Sequence, residues 1–263
     1  LEIKAYVPEA NILVLGPCEA DDVKALFVHR IRPILVDLDN ARQINEAARR
    51  LHVRIPVHLK IDTGMGRIGF NAEYALDDIL AAAQLSNLEL EGLMSHYATA
   101  DEGDIHYAIG QHDRFKHVIK HLRDHSITVP LKHMSNSGGF LNVAHSDYDM
   151  VRPGILLYGA YPDVDGDVRK GIRCAPLLSW KTNVTFIKEV RAGQAIGYGA
   201  MHKVAKHTKI ATIEVGYGDG FRRILAGRAH VLIRGMRYPV VGRISMDQTT
   251  VDIGMVSDVM VGD

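Results

Sequence analysis

The sequence predicts an α/β fold, a partial (β/α)₈ TIM-type barrel, followed by an all-β C-terminal domain. Three observations carry this. Short apolar runs alternate with helix-period segments through residues 12–158, the pattern of parallel strands joined by crossover helices. From about Arg173 the helical period stops, and strand-like runs separated by Gly-rich turns take over. The 263 residues, 47% hydrophobic and 24% charged, suffice for two ordinary domains with real cores. The domains are placed at residues 1–173 and 174–263.

The elements follow in order. Residues 12–16 and 34–37 read as buried strands. Residues 40–51 carry Ala41, Ile44, Ala48 and Leu51 at helical spacing, with Asp39 as the N-cap. Residues 57–61 are a third strand, 75–85 a helix and 88–95 a fourth strand. Residues 110–125 are a helix with Phe115, Val118, Ile119 and Leu122 on one face. A fifth strand at 131–135, a short helix at 139–144 and a sixth strand at 150–158 complete the series. No G-x-G-x-x-G follows the first strand, which weakens a dinucleotide-binding sheet. A barrel has eight strands, so roughly two units are missing. In the second domain, residues 177–190, 194–199, 209–215, 229–234, 238–244 and 249–253 read as strands. Residues 163–170 are polar and turn-rich and are expected to be flexible. The chain starts at Leu1 and stops within an alternating run, so a piece of a longer chain is expected.

Composition excludes several classes. Lys plus Arg and Asp plus Glu are 31 each, which argues against nucleic-acid binding through bulk charge. No stretch of ~20 apolar residues is present, so nothing is expected to span a membrane. Cys18 and Cys174 are too few for a disulfide scaffold or zinc ribbon, read as packing residues, and suit a reducing, cytoplasmic setting. His117, His121 and His125 recur every four residues on one helix. With no carboxylate or Cys to complete a ligand set, they read as a solvated face rather than a metal site.

The chemistry-bearing clusters fall at strand ends, where a parallel barrel keeps its active site. They are residues 60–69, 95–101, 133–139 and 151–155. Ser135-Asn136-Ser137-Gly138-Gly139 enters a helix. Its small polar residues suit a phosphate, and equally a simple N-cap packed by small residues. Arg152-Pro153-Gly154-Ile155 adds a permanent cation beside backbone that a ligand can approach.

Together with residues 216–220 and 242–248, these clusters resemble the alanine racemase family. Those are pyridoxal 5′-phosphate (PLP) enzymes with a (β/α)₈ barrel and a C-terminal β domain. The runs H-L-K-I-D-T-G-M-G-R-I-G (58–69) and G-R-I-S-M-D-Q (242–248) are long and specific, and the resemblance extends from about residue 12 to 263. It implies an isomerase that interconverts L- and D-alanine by two-base Lys/Tyr proton transfer and supplies D-alanine for peptidoglycan. Tyr198 matches the catalytic tyrosine. A free Tyr has a pKa of about 10 and needs cationic help to act as a base; the resemblance implies that His96 contacts it and Arg152 contacts His96. Arg152 would also face the pyridine nitrogen, where an Arg leaves the ring a weaker electron sink than an acidic residue does. Ser137, Gly154 and Ile155 match the phosphate cradle. Arg67 matches the arginine at the cofactor's ring oxygen and the substrate carboxylate, and Lys60 a lysine carbamylated in many members. Met246 and Asp247 match the substrate side. Tyr217, Asp101, Arg223 and Arg243 match the entrance. In the family, the tyrosines and the Met-Asp pair reach the partner subunit's site, so the resemblance implies a homodimer.

The family's PLP lysine sits in V-K-A-[ND]-A-Y-G-H-G, which these residues do not contain. Lys4-Ala5-Tyr6 is a decoy, since the rest of the motif does not follow. The stretch made alone is therefore expected not to racemise alanine. Gly138-Gly139 stands where Ala-Ala is usual, Gly197 where Ser is common and Gly218 where Ala is, all small-for-small changes. The alternatives are a serine or other small amino acid racemase of the same fold, including the racemase domain of a membrane-anchored resistance protein; a PLP carrier; and a non-catalytic PLP-binding remnant.

Overall fold

The computed structural model describes residues 1–162 and 171–263, so the stretch expected to be flexible lies outside the described residues. The chain forms two compact units, Leu1–Leu178 and Ser179–Asp263. The change of rhythm at residue 173 falls a few residues before that division.

The first unit opens with α1 (Glu2–Tyr6). β1 (Ile12–Pro17), a 3₁₀ turn at Ala20–Asp22 and α2 (Val23–Val28) lead to β2 (Ile31–Leu35). α3 (Leu38–Arg50) connects to β3 (Ile55–Asp62), and the two-residue β4 (Phe70–Asn71) and α4 (Leu76–Ala83) connect to β5 (Leu88–Met94). α5 (His106–Asp124) leads to β6 (Leu131–His133), followed by α6 (Ser137–Asn142). The strands form one sheet in the order β1-β2-β3-β5-β6, with β4 on β3, and every pairing is parallel. Parallel neighbours need long crossovers, and helices supply them here except between β3 and the short β4, which residues 63–69 join as a loop.

β3 shows why this sheet forms. Ile55, Val57, Leu59 and Ile61 alternate onto the helix-facing core, with Ala41, Ile44 and Ala48 of α3 and Phe115, Val118 and Leu122 of α5. His58 and Lys60 take the opposite face and are also buried. Burial on both faces is the mark of a parallel sheet in an α/β fold.

Two expectations need correction. The N-cap of α3 is Asp37, whose carboxylate accepts the Asn40 N–H at 2.7 Å; Asp39 lies within the first turn. The sixth strand is a single parallel bridge, His133 to Met150. The chain runs beside β6 as far as Arg152, whose N–H donates to the Ser135 carbonyl at 2.9 Å, and then meets Pro153, which has no N–H to give. Residues Ile155–Tyr158 form a 3₁₀ turn instead.

The second unit contains β7 (Val184–Val190), β8 (Ala195–Ile196), β9 (His202–Lys203), β10 (Thr208–Ile213), β11 (His230–Ile233), β12 (Met236–Val241) and β13 (Thr249–Asp252). An antiparallel sheet runs β11-β12-β13-β10-β7, and β8 pairs with β9. Its core includes Val184, Ala211, Ile213, Val215 and Val251. The expected strand at 177–190 is confined to its last residues, and that at 194–199 breaks after Ile196 into a 3₁₀ turn, Tyr198–Ala200.

Candidate active site

Arg152 is the hub of the first unit's interior. Its Nη2 donates to the carbonyls of Ser95 (2.6 Å) and Met134 (3.1 Å) and approaches His96 Nδ1 at 3.4 Å. Its Nη1 donates to His133 Nδ1. Its Nε makes no hydrogen bond among the described residues. Burial lowers its pKa to about 10, so it stays cationic at neutral pH.

A cavity of about 580 Å³ opens beside it, lined in part by His96, Asp101, Ser137, Arg152, Gly154 and Ile155. Ser137 is the first residue of α6, and Asn136 caps that helix by accepting the Gly139 N–H at 2.9 Å. Gly154 borders open space: no atom lies within 4 Å of where its Cβ would be. Gly138 and Gly139 serve packing. A Cβ on Gly139 would stand 2.4 Å from the Tyr97 ring, and one on Gly138 2.8 Å from the Asp101 nitrogen. The capping role of Asn136 is thus present, and Ser137 still lines the cavity.

The site gathers positive charge. Lys60 is buried, and its Nζ makes no hydrogen bond within the described residues. Burial, then the neighbouring Arg152 and Arg67, pull its pKa down to about 8 against the opposing pull of Asp62. His96 falls to about 4 through burial and the cations Arg152, Lys60 and Arg67, so its ring is neutral at neutral pH. Arg67 stands exposed in the loop after β3. Lys4 lies on α1 and donates to the Pro8 carbonyl at 2.8 Å, on no strand.

The remaining expected residues lie in the second unit. Tyr198 is 69% exposed, Tyr217 44% and Met246 57%. The Tyr217 loop is pinned to the Met246 loop: Tyr217 N–H donates to the Ser245 carbonyl at 3.0 Å and Gly218 N–H to the Met246 carbonyl at 2.8 Å. A Cβ on Gly216 would sit 2.1 Å from the Met246 oxygen, so the two loops meet backbone to backbone. The Arg223 guanidinium lies over the Tyr217 ring at 5.7 Å. Arg243 lies against Gly199, beside Tyr198, and Asp247 is exposed next to Met246.

Residues 1–162 match the family model of the alanine racemase N-terminal domain, and residues 177–263 match that of the alanine racemase C-terminal domain. The chain belongs to the alanine racemase family. It is 41% identical over 263 residues to the alanine racemase of Halothermothrix orenii, covering 100% of this chain and 69% of that protein. It is 39% identical to alanine racemase 2 of Caldanaerobacter subterraneus subsp. tengcongensis, covering 100% and 68%. The solved structure of an alanine racemase from Clostridium difficile 630 matches at 36% identity and a TM-score of 0.88, over 100% of this chain and 68% of that one. The biosynthetic alanine racemase of Pseudomonas aeruginosa matches at 30% and 0.87, over 100% and 71%. Alanine racemases are isomerases, and the order here, parallel α/β unit then antiparallel unit, is that of the two family domains.

Sequence reasoning gave no individual role to His58 and His133, which this alanine racemase family member buries at its hub, nor to the half-buried Glu91 beside them. The signal for His58 was alternation: in a strand apolar at 55, 57, 59 and 61, the residues between them face one common side.

Proposed function

We propose that the chain forms a PLP-dependent alanine racemase that works as a homodimer, each site drawing on both copies. The cavity lined by Arg152 and His96, with Lys60 and Arg67 close enough to act on both electrostatically, carries this reading. PLP presents an anionic phosphate, an anionic ring oxygen and a basic ring nitrogen, and the residues present fit each. Ser137, Gly154 and Ile155 would hold the phosphate with a hydroxyl and backbone N–H groups. Arg67 would face the ring oxygen and the substrate carboxylate. The unengaged Nε–H of Arg152 would serve the ring nitrogen, and because Arg keeps its proton the ring nitrogen stays unprotonated. When bound, PLP draws electrons from the amino acid's α-carbon and so acidifies its hydrogen.

The chain's own residues would handle the protons. Tyr198 is the base and acid on one face. His96, with Nδ1 turned to Arg152, would offer Nε2, here 3.4 Å from the Asn136 amide nitrogen, to the Tyr198 oxygen. The exposure of Tyr198, Tyr217 and Met246 supports their service in a second copy's site, with Asp247 beside them and Asp101, Arg223 and Arg243 at the entrance. Lys60 would add carbon dioxide: the ammonium gives one proton to solvent, the neutral amine forms an N–C bond, a second proton leaves to solvent, and an anion replaces a cation near Arg67 and Arg152.

The test is L-to-D and D-to-L conversion of alanine, with serine in parallel, by an enzyme that carries these residues together with the family's PLP lysine motif. Tyr198→Phe is expected to lose about 100-fold or more, the scale of general acid–base catalysis. Unchanged rates in both directions would remove Tyr198 from the chemistry.

A further inference from the structure

A chain of hydrogen bonds reaches Arg152 from behind. β3 and β5 change register between Val57–Leu90 and His58–Gly92, so Glu91 is the extra residue of a bulge. Its carboxylate takes two bonds from Arg32 on β2, at 2.9 and 3.3 Å, and lies 3.3 Å from His58 Nε2. His58 Nδ1 is 2.8 Å from His133 Nε2, and His133 Nδ1 meets Arg152 Nη1. The next residue of β5 makes the room: a Cβ on Gly92 would stand 2.2 Å from His58 Nδ1. None of Glu91, His58 and His133 lines the cavity.

The hydrogens can be placed from one end. Arg has donors only, so His133 Nδ1 accepts and its proton sits on Nε2. His133 Nε2–H then donates to His58 Nδ1, which places the His58 proton on Nε2, facing Glu91. Every bond points from guanidinium to carboxylate. A second proton on either ring would set N–H against N–H. The charged groups around the pair agree: burial, Arg152 and Lys60 hold His133 down to about 2, and burial with Arg32 and Arg152 lowers His58 in spite of Glu91.

We propose that Glu91, His58 and His133 are positioning residues for Arg152, a one-way relay of two neutral imidazoles that ties its guanidinium to a carboxylate. With one Nη1–H and both Nη2–H groups engaged, Nε–H and the second Nη1–H are left as donors. The consequence for catalysis rests on Arg152 facing the cofactor ring; the relay itself does not.

Nitrogen NMR of the ¹⁵N-histidine-labelled chain, without cofactor, reads both tautomers directly. A protonated Nε2 and a bare Nδ1 are expected on His58 and on His133. A bare Nε2, or a doubly protonated ring, on either residue overturns the relay. In the racemase assay, His133→Leu is expected to lower kcat about tenfold or more at little changed KM, the scale of one hydrogen bond to a charged group. His133→Gln keeps an acceptor and a donor and is expected to recover to within about threefold of wild type. Equal losses in the two variants also overturn the proposal. A wild-type enzyme with the expected tautomers and no racemase activity would count against the functional reading alone.

Discussion

Lys60 shows how burial prepares a side chain. In the unfolded chain its amine has its ordinary pKa near 10.5; in the folded chain it is pulled to about 8. Below pH 8 both states are protonated, and the fold carries the whole cost of the buried cation, about 3 kcal/mol at 1.36 kcal/mol per pKa unit. Between pH 8 and 10.5 the unfolded chain holds more protons, so stability rises with pH until the cost is gone. Lys60→Met is therefore expected to raise the unfolding free energy by about 3 kcal/mol at neutral pH in carbonate-free buffer, with the gain fading above pH 10. Urea denaturation across that range checks it, and added bicarbonate should shrink the gain if the amine takes up carbon dioxide. Some of this residue-scale detail was legible in advance. Lys60, His96 and Arg152 stood out by type and place at strand ends. The glycines at 138 and 139 did not: as replacements for alanine they read as neutral, yet the Tyr97 ring and the Ala100–Asp101 backbone occupy the space a Cβ would need.

Among the elements, the start of α3 turns on two aspartates, of which the sequence reading puts Asp37 in the second strand and Asp39 at the cap. Both Asp37 and Asp39 precede the apolar period that begins at Ala41, and periodicity says nothing about which of them turns outward. Backbone geometry decides: Asp37 is extended, with φ −156°, and its carboxylate reaches Asn40 N–H. Asp37→Ala is expected to cost about 1 kcal/mol and Asp39→Ala well under half of that, measured as shifts in the urea midpoint. Strand order was legible because apolar runs and helical periods alternate so regularly. The segment after Met150 was not, because its apolar residues read as strand while one proline ends the pairing. The bulge at Glu91 left no pattern in a single sequence, since a bulge is a relation between two strands.

At the scale of the molecule, two units with separate cores divide the labour. The parallel unit holds the cavity beside Arg152, and the antiparallel unit displays Tyr198, Tyr217 and Met246 to the outside. The family's domain order was legible in the change of rhythm, and the sharing of sites came from the resemblance. A shared site makes a sharp prediction about mixtures of copies. In a dimer of one Arg152→Ala chain and one Tyr198→Phe chain, one site lacks both groups and the other has both intact. The decisive measurement is alanine racemisation by such a mixture, refolded together from chains that carry the PLP lysine motif. The account predicts that each variant alone is nearly inactive and that the mixture reaches about a quarter of wild type, because half the dimers are mixed and each has one whole site. A mixture no more active than the average of its two components would contradict it.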